Sequence, residues 1–297
     1  MASGREARPL YTRTASRDPR ESARVKVLRA IDQWLRGETN ARRMTPDEQT
    51  RHEVRKAGSS MGGYLSELPS RDVDVLDFGC GWGGETLWLA SKVRSVTGVD
   101  IEAASIAQAR RALGRTRISN CSFHAMKDGC IPLPDASVDA VFSTDTFEHV
   151  MDLETAFGEI ARVLRPGGTL VTRFGPLFYS PYGYHMQWAC RVPYAHVLFG
   201  LDAVLALRRE RTGHPLDVAD WQGTGLNCRR FAEFKRAALG AKLELVRFDA
   251  VPVLGLAPLT RLPLVRDLFI FGVDCVARRP RRESVLPPQP LVEGAPA

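Results

Sequence analysis

Asp72-Val-Asp-Val-Leu-Asp77-Phe-Gly79-Cys-Gly81-Trp-Gly83-Gly84-Glu85 is the stretch on which the fold turns. Val73, Val75, Leu76 and Phe78 make a short apolar strand that runs straight into glycines, and helical spacing follows from Glu85 to Lys92. Glycines at such a junction let the backbone turn sharply and approach a ligand with no Cβ in the way. Downstream, Ser95–Val99 reads as a second strand ending at Asp100, followed by an alanine-rich helix to Leu113. Cys121–His124 and Val138–Phe142 read as the third and fourth strands. Leu153, Ala156, Phe157, Ile160 and Leu164 share one face of a helix over 152–164 that Pro166-Gly167-Gly168 stops, and Thr169–Phe174 is the fifth strand. Strand alternating with helix at this rhythm predicts an α/β fold, a mostly parallel sheet with helices on both faces.

Beyond Phe174 the rhythm fails, and aromatics crowd the next stretch: Phe178, Tyr179, Tyr182, Tyr184, Trp188, Tyr194 and Trp221, with His185 and His196 among them. They are equally suited to wall an acceptor pocket and to form the core of a small cap. A helix over Arg229–Leu239 and strands over Leu243–Phe248 and Phe269–Val276 complete a seven-stranded count. The apolar run from Leu254 to Phe271 is expected to be a buried connection between the last two strands, in preference to a membrane-touching segment. Upstream, Val25, Leu28, Ile31 and Leu35 form a helical stripe, and Thr45, Pro46 and Glu48 spell the start of a second helix with a capping box. The expected division is a disordered Arg-rich tail over 1–21 and an N-terminal helical cap over 22–70. A main domain follows over 71–277, with a substrate-side insertion at 175–240, and then a disordered tail over 278–297.

The chain has 297 residues, 44% hydrophobic and 25% charged, which is enough apolar content for a large core and excludes global disorder. Its net charge of +7 is concentrated at the ends: residues 1–24 carry six Arg and three acids, and residues 278–297 four Arg and two acids. The near-neutral body disfavours a nucleic-acid footprint, which needs a dense basic face. Six scattered cysteines with no CxxC pair and no histidine at ligand spacing predict reduced, mostly buried thiols in a cytoplasmic protein, no structural zinc site and no other metal. No secretory signal or bilayer-spanning run is expected.

Two readings compete for the glycine turn. Gly79, Gly81 and Gly84 fit the GxGxxG spacing of dinucleotide binders, with Asp100 where a ribose-binding acid belongs. Asp77, however, stands at the mouth of the turn. A carboxylate there repels a diphosphate but suits a ligand carrying an ammonium and a sulfonium, which favours S-adenosyl-L-methionine over NAD.

Five ordered motifs carry a family resemblance: Asp77-Phe-Gly-Cys-Gly-Trp-Gly83, Gly98-Val-Asp100-Ile101, Ile131-Pro-Leu-Pro-Asp-Ala-Ser-Val-Asp139, Phe147-Glu-His-Val150 and Leu164-Arg-Pro-Gly-Gly168. Over roughly residues 60–175 the chain resembles the class I S-adenosylmethionine-dependent methyltransferases, specifically the type 11 methyltransferase domain, with its Rossmann-like fold. The resemblance implies that Asp77, Gly79, Gly81 and Gly83 border the methionine end of the cofactor. It further implies that Asp100 takes both ribose hydroxyls, Ile101 lies on the adenine face, and Asp128 with the backbone of Lys127 and Gly129 reads the adenine amino group. Many relatives place that last acid one position earlier, where this chain has Lys127. Thr144 and Asp145, at the tip of the fourth strand, are expected to face the transferred methyl.

For a hydroxyl acceptor the chemistry also calls for a base, and the candidates are His149, just beyond the fourth strand, and His185 in the insertion. His149 could otherwise cap the helix that starts at Asp152, and His185 could have only a binding role. The resulting expectation is methyl transfer to a small-molecule or glycan-like acceptor, at oxygen, with no nucleic-acid partner. The rival readings are an NAD-dependent oxidoreductase and a non-catalytic module that kept the cofactor fold.

Overall fold

The computed structural model describes residues 22–35, 45–60, 62–68 and 70–281. The expected N-terminal tail lies outside these residues, as does the C-terminal one from residue 282 onward. Seven strands form one sheet in the order β3-β2-β1-β4-β5-β7-β6. They are β1 (Asp74–Phe78), β2 (Ser95–Asp100), β3 (Cys121–Ala125), β4 (Val138–Thr144), β5 (Leu164–Phe174), β6 (Glu244–Pro252) and β7 (Ile270–Arg278). The first five are parallel, whereas β7 runs antiparallel to both β5 and β6. Chain order reverses between β1 and its two neighbours, β2 and β4. In open α/β sheets that reversal opens a crevice at the carboxyl ends of the strands. The glycine turn after β1, Asp100 at the end of β2 and Thr144 at the end of β4 all fall there.

The helices are α1 (Ala23–Leu35), α2 (Pro46–Ser60), α3 (Gly84–Ala90), α4 (Ala103–Leu113), α5 (Leu153–Val163), α6 (Ala195–Leu198), α7 (Leu201–Thr212), α8 (Phe231–Gly240) and α9 (Arg266–Phe269). The apolar faces of α5 and α8 cover one side of the sheet, and α2, α3 and α4 cover the other. The capping box at α2 forms as its sequence predicts: Thr45 N–H donates to Glu48 Oε2 at 2.8 Å, and Glu48 N–H to Thr45 Oγ1 at 3.3 Å. At the centre of the first side Phe147 stacks on Phe157, with ring centroids 4.6 Å apart, and touches Phe78 and Phe174. Phe147 is fully buried. Phe147→Ala should therefore cost about 3–5 kcal/mol of unfolding free energy, read by denaturant titration. A loss below about 1 kcal/mol would mean that this ring is not a keystone of the core.

Several boundaries differ from the expectation, each for a local reason. β5 begins at Leu164, so Pro166-Gly167-Gly168 lies inside the strand. Gly167 adopts φ +83°, and its N–H donates to the Arg279 carbonyl at 2.8 Å. The sheet also continues through Arg278, and Arg279 donates its guanidinium to the carbonyls of Arg162 and Leu164. The first residues of the expected C-terminal tail are thus part of the fold.

The two N-terminal helices do not form one cap. α2 lies on α3 and α4, while α1 packs into the insertion against α7. There the buried Asp32 accepts from the Arg191 N–H at 2.6 Å and pairs with Arg211 at 3.1 Å. The segment from Leu254 to Phe271 is not a buried connection either. Leu254 is 97% exposed and Leu264 96%, with Leu262, Val265 and Phe271 also open. Turns at Ala257–Arg261 and α9 carry this stretch outward between β6 and β7. Among the described residues no helix is long and apolar enough to cross a membrane.

Candidate functional site

Five backbone N–H groups of the glycine turn are already committed to the chain itself. Those of Gly79 and Cys80 donate to the Val99 carbonyl and that of Gly83 to the Cys80 carbonyl. Gly81 N–H donates to Asp100 Oδ2 at 2.9 Å, and Gly84 N–H to Glu53 Oε2 at 3.3 Å. A diphosphate-binding turn aims such groups at the ligand's anionic oxygens. Here two of them are held by carboxylates instead.

The glycines also differ in what they face. A Cβ on Gly79 (φ +78°) would collide with Thr146, one on Gly83 (φ +83°) with Phe123 and Ala109, and one on Gly84 with Glu53 and the Thr50 carbonyl of α2. Gly81 (φ +51°) alone of the four opens onto free space. At Gly83 both the positive φ and the packing against β3 and α4 require glycine.

Around the turn the charge is negative. Asp77 is buried, accepts from Thr86 Oγ1 at 2.6 Å, and is pushed up to about 7 by burial and by the neighbouring Glu85, Asp100 and Glu53. Burial also raises Glu85, which receives the Thr144 hydroxyl. Lys56 of α2 approaches Asp145 at 3.8 Å. Sequence reasoning named Asp77, Asp100 and Asp145 but missed Glu85 and Glu53. Glu85 was readable as an acid in the first turn after the glycines, whereas Glu53 arrives only because α2 docks on Gly84.

Asp100 accepts from Gly81 N–H with one oxygen and from Glu102 N–H, at 2.8 Å, with the other, so its carboxylate is fixed at the rim. Next to it Ile101 is 76% exposed, an isolated apolar surface of the kind a flat aromatic ligand covers. Lys127 and Asp128 are exposed on a tight turn after β3, with Asp128 at φ +51° and Gly129 at φ +77°. A group of carboxylates at the carboxyl ends of β1 and β2, beside an exposed apolar shelf at Ile101, suits an adenosyl sulfonium. The open face at Gly81 leaves room for the backbone to border it.

The two candidate histidines come together although they are far apart in sequence. His149 and His185 meet edge to face, with ring centroids 5.0 Å apart. His149 does not cap the following helix, since Asp152 fills that role by accepting from Thr155 N–H at 2.9 Å. Instead His149 Nδ1 lies 2.8 Å from the Gly225 carbonyl, and His185 Nε2 lies 2.8 Å from the Pro176 carbonyl. Burial lowers His185 below the usual imidazole range.

Glu148, which the sequence reading passed over, is buried between them and the end of β5. Its Oε1 accepts from Gly175 N–H at 3.1 Å, and burial pushes its carboxyl up to about 8. Asn227 holds this turn by donating to the carbonyls of Phe147 and Val150 at 2.6 and 2.9 Å.

The aromatics of the insertion pack among themselves around a buried Tyr184 and His196, while Trp188 is exposed. Tyr184 is fully buried with its hydroxyl 2.7 Å from the Cys190 carbonyl, and His196 packs on Phe178, Tyr184 and Trp221. Two of the five sequence motifs prove to be scaffold. Asp139, at the start of β4, pairs with Arg165 at 2.7 Å and receives Asp74 N–H, at the opposite end of the sheet from the crevice. The loop before it is strapped to α5 by Arg162, which donates to the carbonyls of Ile131 and Leu133. Of the cysteines, Cys80, Cys190 and Cys275 are buried and Cys130 is exposed.

The sheet order and the glycine turn after β1 define a Rossmann-like fold. Comparison with known proteins gives the same class. Residues 76–172 match a family model described as "Methyltransferase domain". A Mycolicibacterium smegmatis protein named "Probable S-adenosylmethionine-dependent methyltransferase" is 38% identical over 36% of this chain and 40% of its own length. The O-methyltransferase cnsE of Penicillium expansum is 35% identical over 35% of this chain and 38% of its own. Among solved structures, geranyl diphosphate C-methyltransferase of Streptomyces coelicolor A3(2), in complex with Mg2+, geranyl diphosphate and S-adenosyl-L-homocysteine, matches with a TM-score of 0.50. That match has 20% identity and covers 89% of this chain and 86% of that one. The chain thus matches a methyltransferase domain over residues 76–172, within the stretch it shares with relatives named as methyltransferases. It spans about two fifths of the length of the two curated relatives above.

Proposed function

We propose that this protein transfers the methyl group of S-adenosylmethionine to an oxygen of a small-molecule or glycan-like acceptor. The carrying observation is the glycine turn: its Gly81 and Gly84 N–H groups are held by carboxylates, and a third carboxylate, Asp77, is buried behind it. That arrangement opposes a diphosphate and favours a cationic thioether, which disfavours the NAD reading. In this reading Asp77 and the open face at Gly81 border the methionine moiety, with Gly79 and Gly83 shaping the turn. Asp100 takes the ribose hydroxyls, Ile101 the adenine face, and Lys127, Asp128 and Gly129 the adenine edge. Thr144 and Asp145 line the approach to the methyl.

When bound, the cofactor supplies a methyl group already activated as a sulfonium. The chain's task is therefore to hold the acceptor in line and exclude water, an effect worth about 7–11 kcal/mol at best. A hydroxyl must also lose its proton, and His149 and His185, each with one ring nitrogen committed to a carbonyl, are the groups assigned to it. The O-methyltransferase name of the Penicillium expansum relative supports oxygen as the atom methylated.

The test is incubation of the purified protein with cofactor labelled at the methyl group and with extracts fractionated into lipid, glycan, small-molecule, RNA and protein pools. Label entering the glycan or small-molecule pool in alkali-stable ether linkage, or as an ester, supports the proposal. Label confined to RNA or protein contradicts it.

A further inference from the structure

Three donor groups converge beside the crevice: a carboxylate oxygen of Glu148 and one ring nitrogen each of His149 and His185, all within 4.8 Å of one another. They come from two parts of the chain, the turn after β4 and the insertion after β5. Two hydrogen bonds fix the imidazoles. A carbonyl oxygen can only accept, so His149 Nδ1, facing the Gly225 carbonyl, and His185 Nε2, facing the Pro176 carbonyl, each carry a hydrogen in the neutral ring. That leaves a lone pair on the other nitrogen of each. A histidine that donates one N–H to a backbone carbonyl while the second nitrogen stays bare is the orientation found in metal-ligating pairs.

The carboxylate gives the independent sign. Glu148 is 3% exposed, one of its oxygens accepts from Gly175 N–H, and the other, Oε2, has no hydrogen-bond partner. A buried carboxylate oxygen left bare is costly, and coordination to a cation removes the cost.

We propose that Glu148, His149 and His185 form a binding site for one divalent first-row transition-metal ion. Two imidazoles and one carboxylate suit Zn2+, Co2+, Fe2+ or Mn2+ better than Ca2+, which prefers oxygen donors alone. Metal–ligand bonds of about 2.0–2.2 Å place tetrahedral neighbours roughly 3.3–3.6 Å apart, so donors now within 4.8 Å of one another close on an ion with a shift of at most about 1 Å. Three protein ligands leave coordination positions open, the pattern of catalytic sites. Resting on the methyl-transfer reading, the open positions take an oxygen of the acceptor. With the ion bound, both imidazole lone pairs are spent on it and the histidines serve as ligands in place of bases: the ion lowers the pKa of the acceptor hydroxyl, whose proton passes to solvent as the O–CH3 bond forms and the C–S bond breaks. Binding of the ion itself does not depend on that reading. The sequence-based expectation of no metal is revised, because ligand spacing along the chain cannot register a site closed by the insertion.

The test uses tag-free, chelator-stripped full chain titrated with Co2+, followed by visible d–d absorption and by displacement with Zn2+. The wild type should bind one equivalent with an absorption intensified over the aqueous ion and free of thiolate charge transfer. His149→Gln and His185→Gln should each weaken it by on the order of 100-fold while S-adenosylhomocysteine affinity stays within about 3-fold, showing an intact fold. Three results would overturn the site: a spectrum like that of the aqueous ion, equal affinity in wild type and both variants, or thiolate bands tracing the ion to Cys130. Retained S-adenosylhomocysteine binding in any of those cases leaves the methyltransferase reading standing, so the two ideas fail separately.

Discussion

Asp100→Ala is expected to weaken S-adenosylhomocysteine binding by on the order of 100-fold or more. A carboxylate bridging two vicinal hydroxyls makes two charge-assisted hydrogen bonds, each worth about 1.5–3 kcal/mol. The structure holds Asp100 ready, because Gly81 N–H and Glu102 N–H fix one oxygen each and leave the side chain at the rim of β2. Asp100→Asn keeps an acceptor for one of these bonds and should fall between wild type and alanine. Both variants should stay folded by circular dichroism. If calorimetry finds alanine-variant affinity unchanged, Asp100 serves only to pin the glycine turn, and the ribose role is lost.

The second large effect is expected at Asp77, where binding and stability should move in opposite directions. Its ordinary pKa of 3.8 is pushed up to about 7 in the cofactor-free fold, by burial first and then by Glu85, Asp100 and Glu53. The folded chain therefore keeps a proton that the unfolded chain releases near pH 4. In consequence stability falls as pH rises from about 4 to 7, and the full penalty stands above pH 7, by a few kcal/mol. Asp77→Asn removes that penalty while its carbonyl can still accept from Thr86. The variant should match the wild type in melting temperature near pH 4 and exceed it at pH 8. At pH 8 it should also bind the cofactor on the order of 10- to 100-fold more weakly, because the carboxylate that neutralises the ligand's positive charge is gone. A variant that melts lower at pH 8 and binds the cofactor equally well would make Asp77 a turn-stabilising residue and nothing more.

Much of this arrangement was legible along the chain, for identifiable reasons. Strands such as β1 announce themselves by closely spaced apolar residues, Val73, Val75, Leu76 and Phe78, and the turn by glycines whose positive φ only they tolerate without cost. The start of α2 was readable from three residues, because capping is a local interaction. What was not legible depends on distant segments meeting. Glu53 reaches the turn only through the docking of α2 on Gly84, and Glu148 draws its significance from His185 across the insertion. The stretch from Leu254 to Phe271 was misread because composition alone favours burial, whereas Leu254 and Leu264 stand in solvent. Arg279 was assigned to a charged tail, yet its guanidinium is spent on two backbone carbonyls at the foot of β5.

A carboxylate-lined turn of this kind selects a cationic nucleoside over a dinucleotide. Isothermal titration of the purified full chain with S-adenosylmethionine, S-adenosylhomocysteine and NADH in parallel addresses that selection most directly. Saturable one-to-one binding of S-adenosylmethionine and S-adenosylhomocysteine is expected, with no heat from NADH. Binding of NADH with silence from both thioether ligands would contradict it.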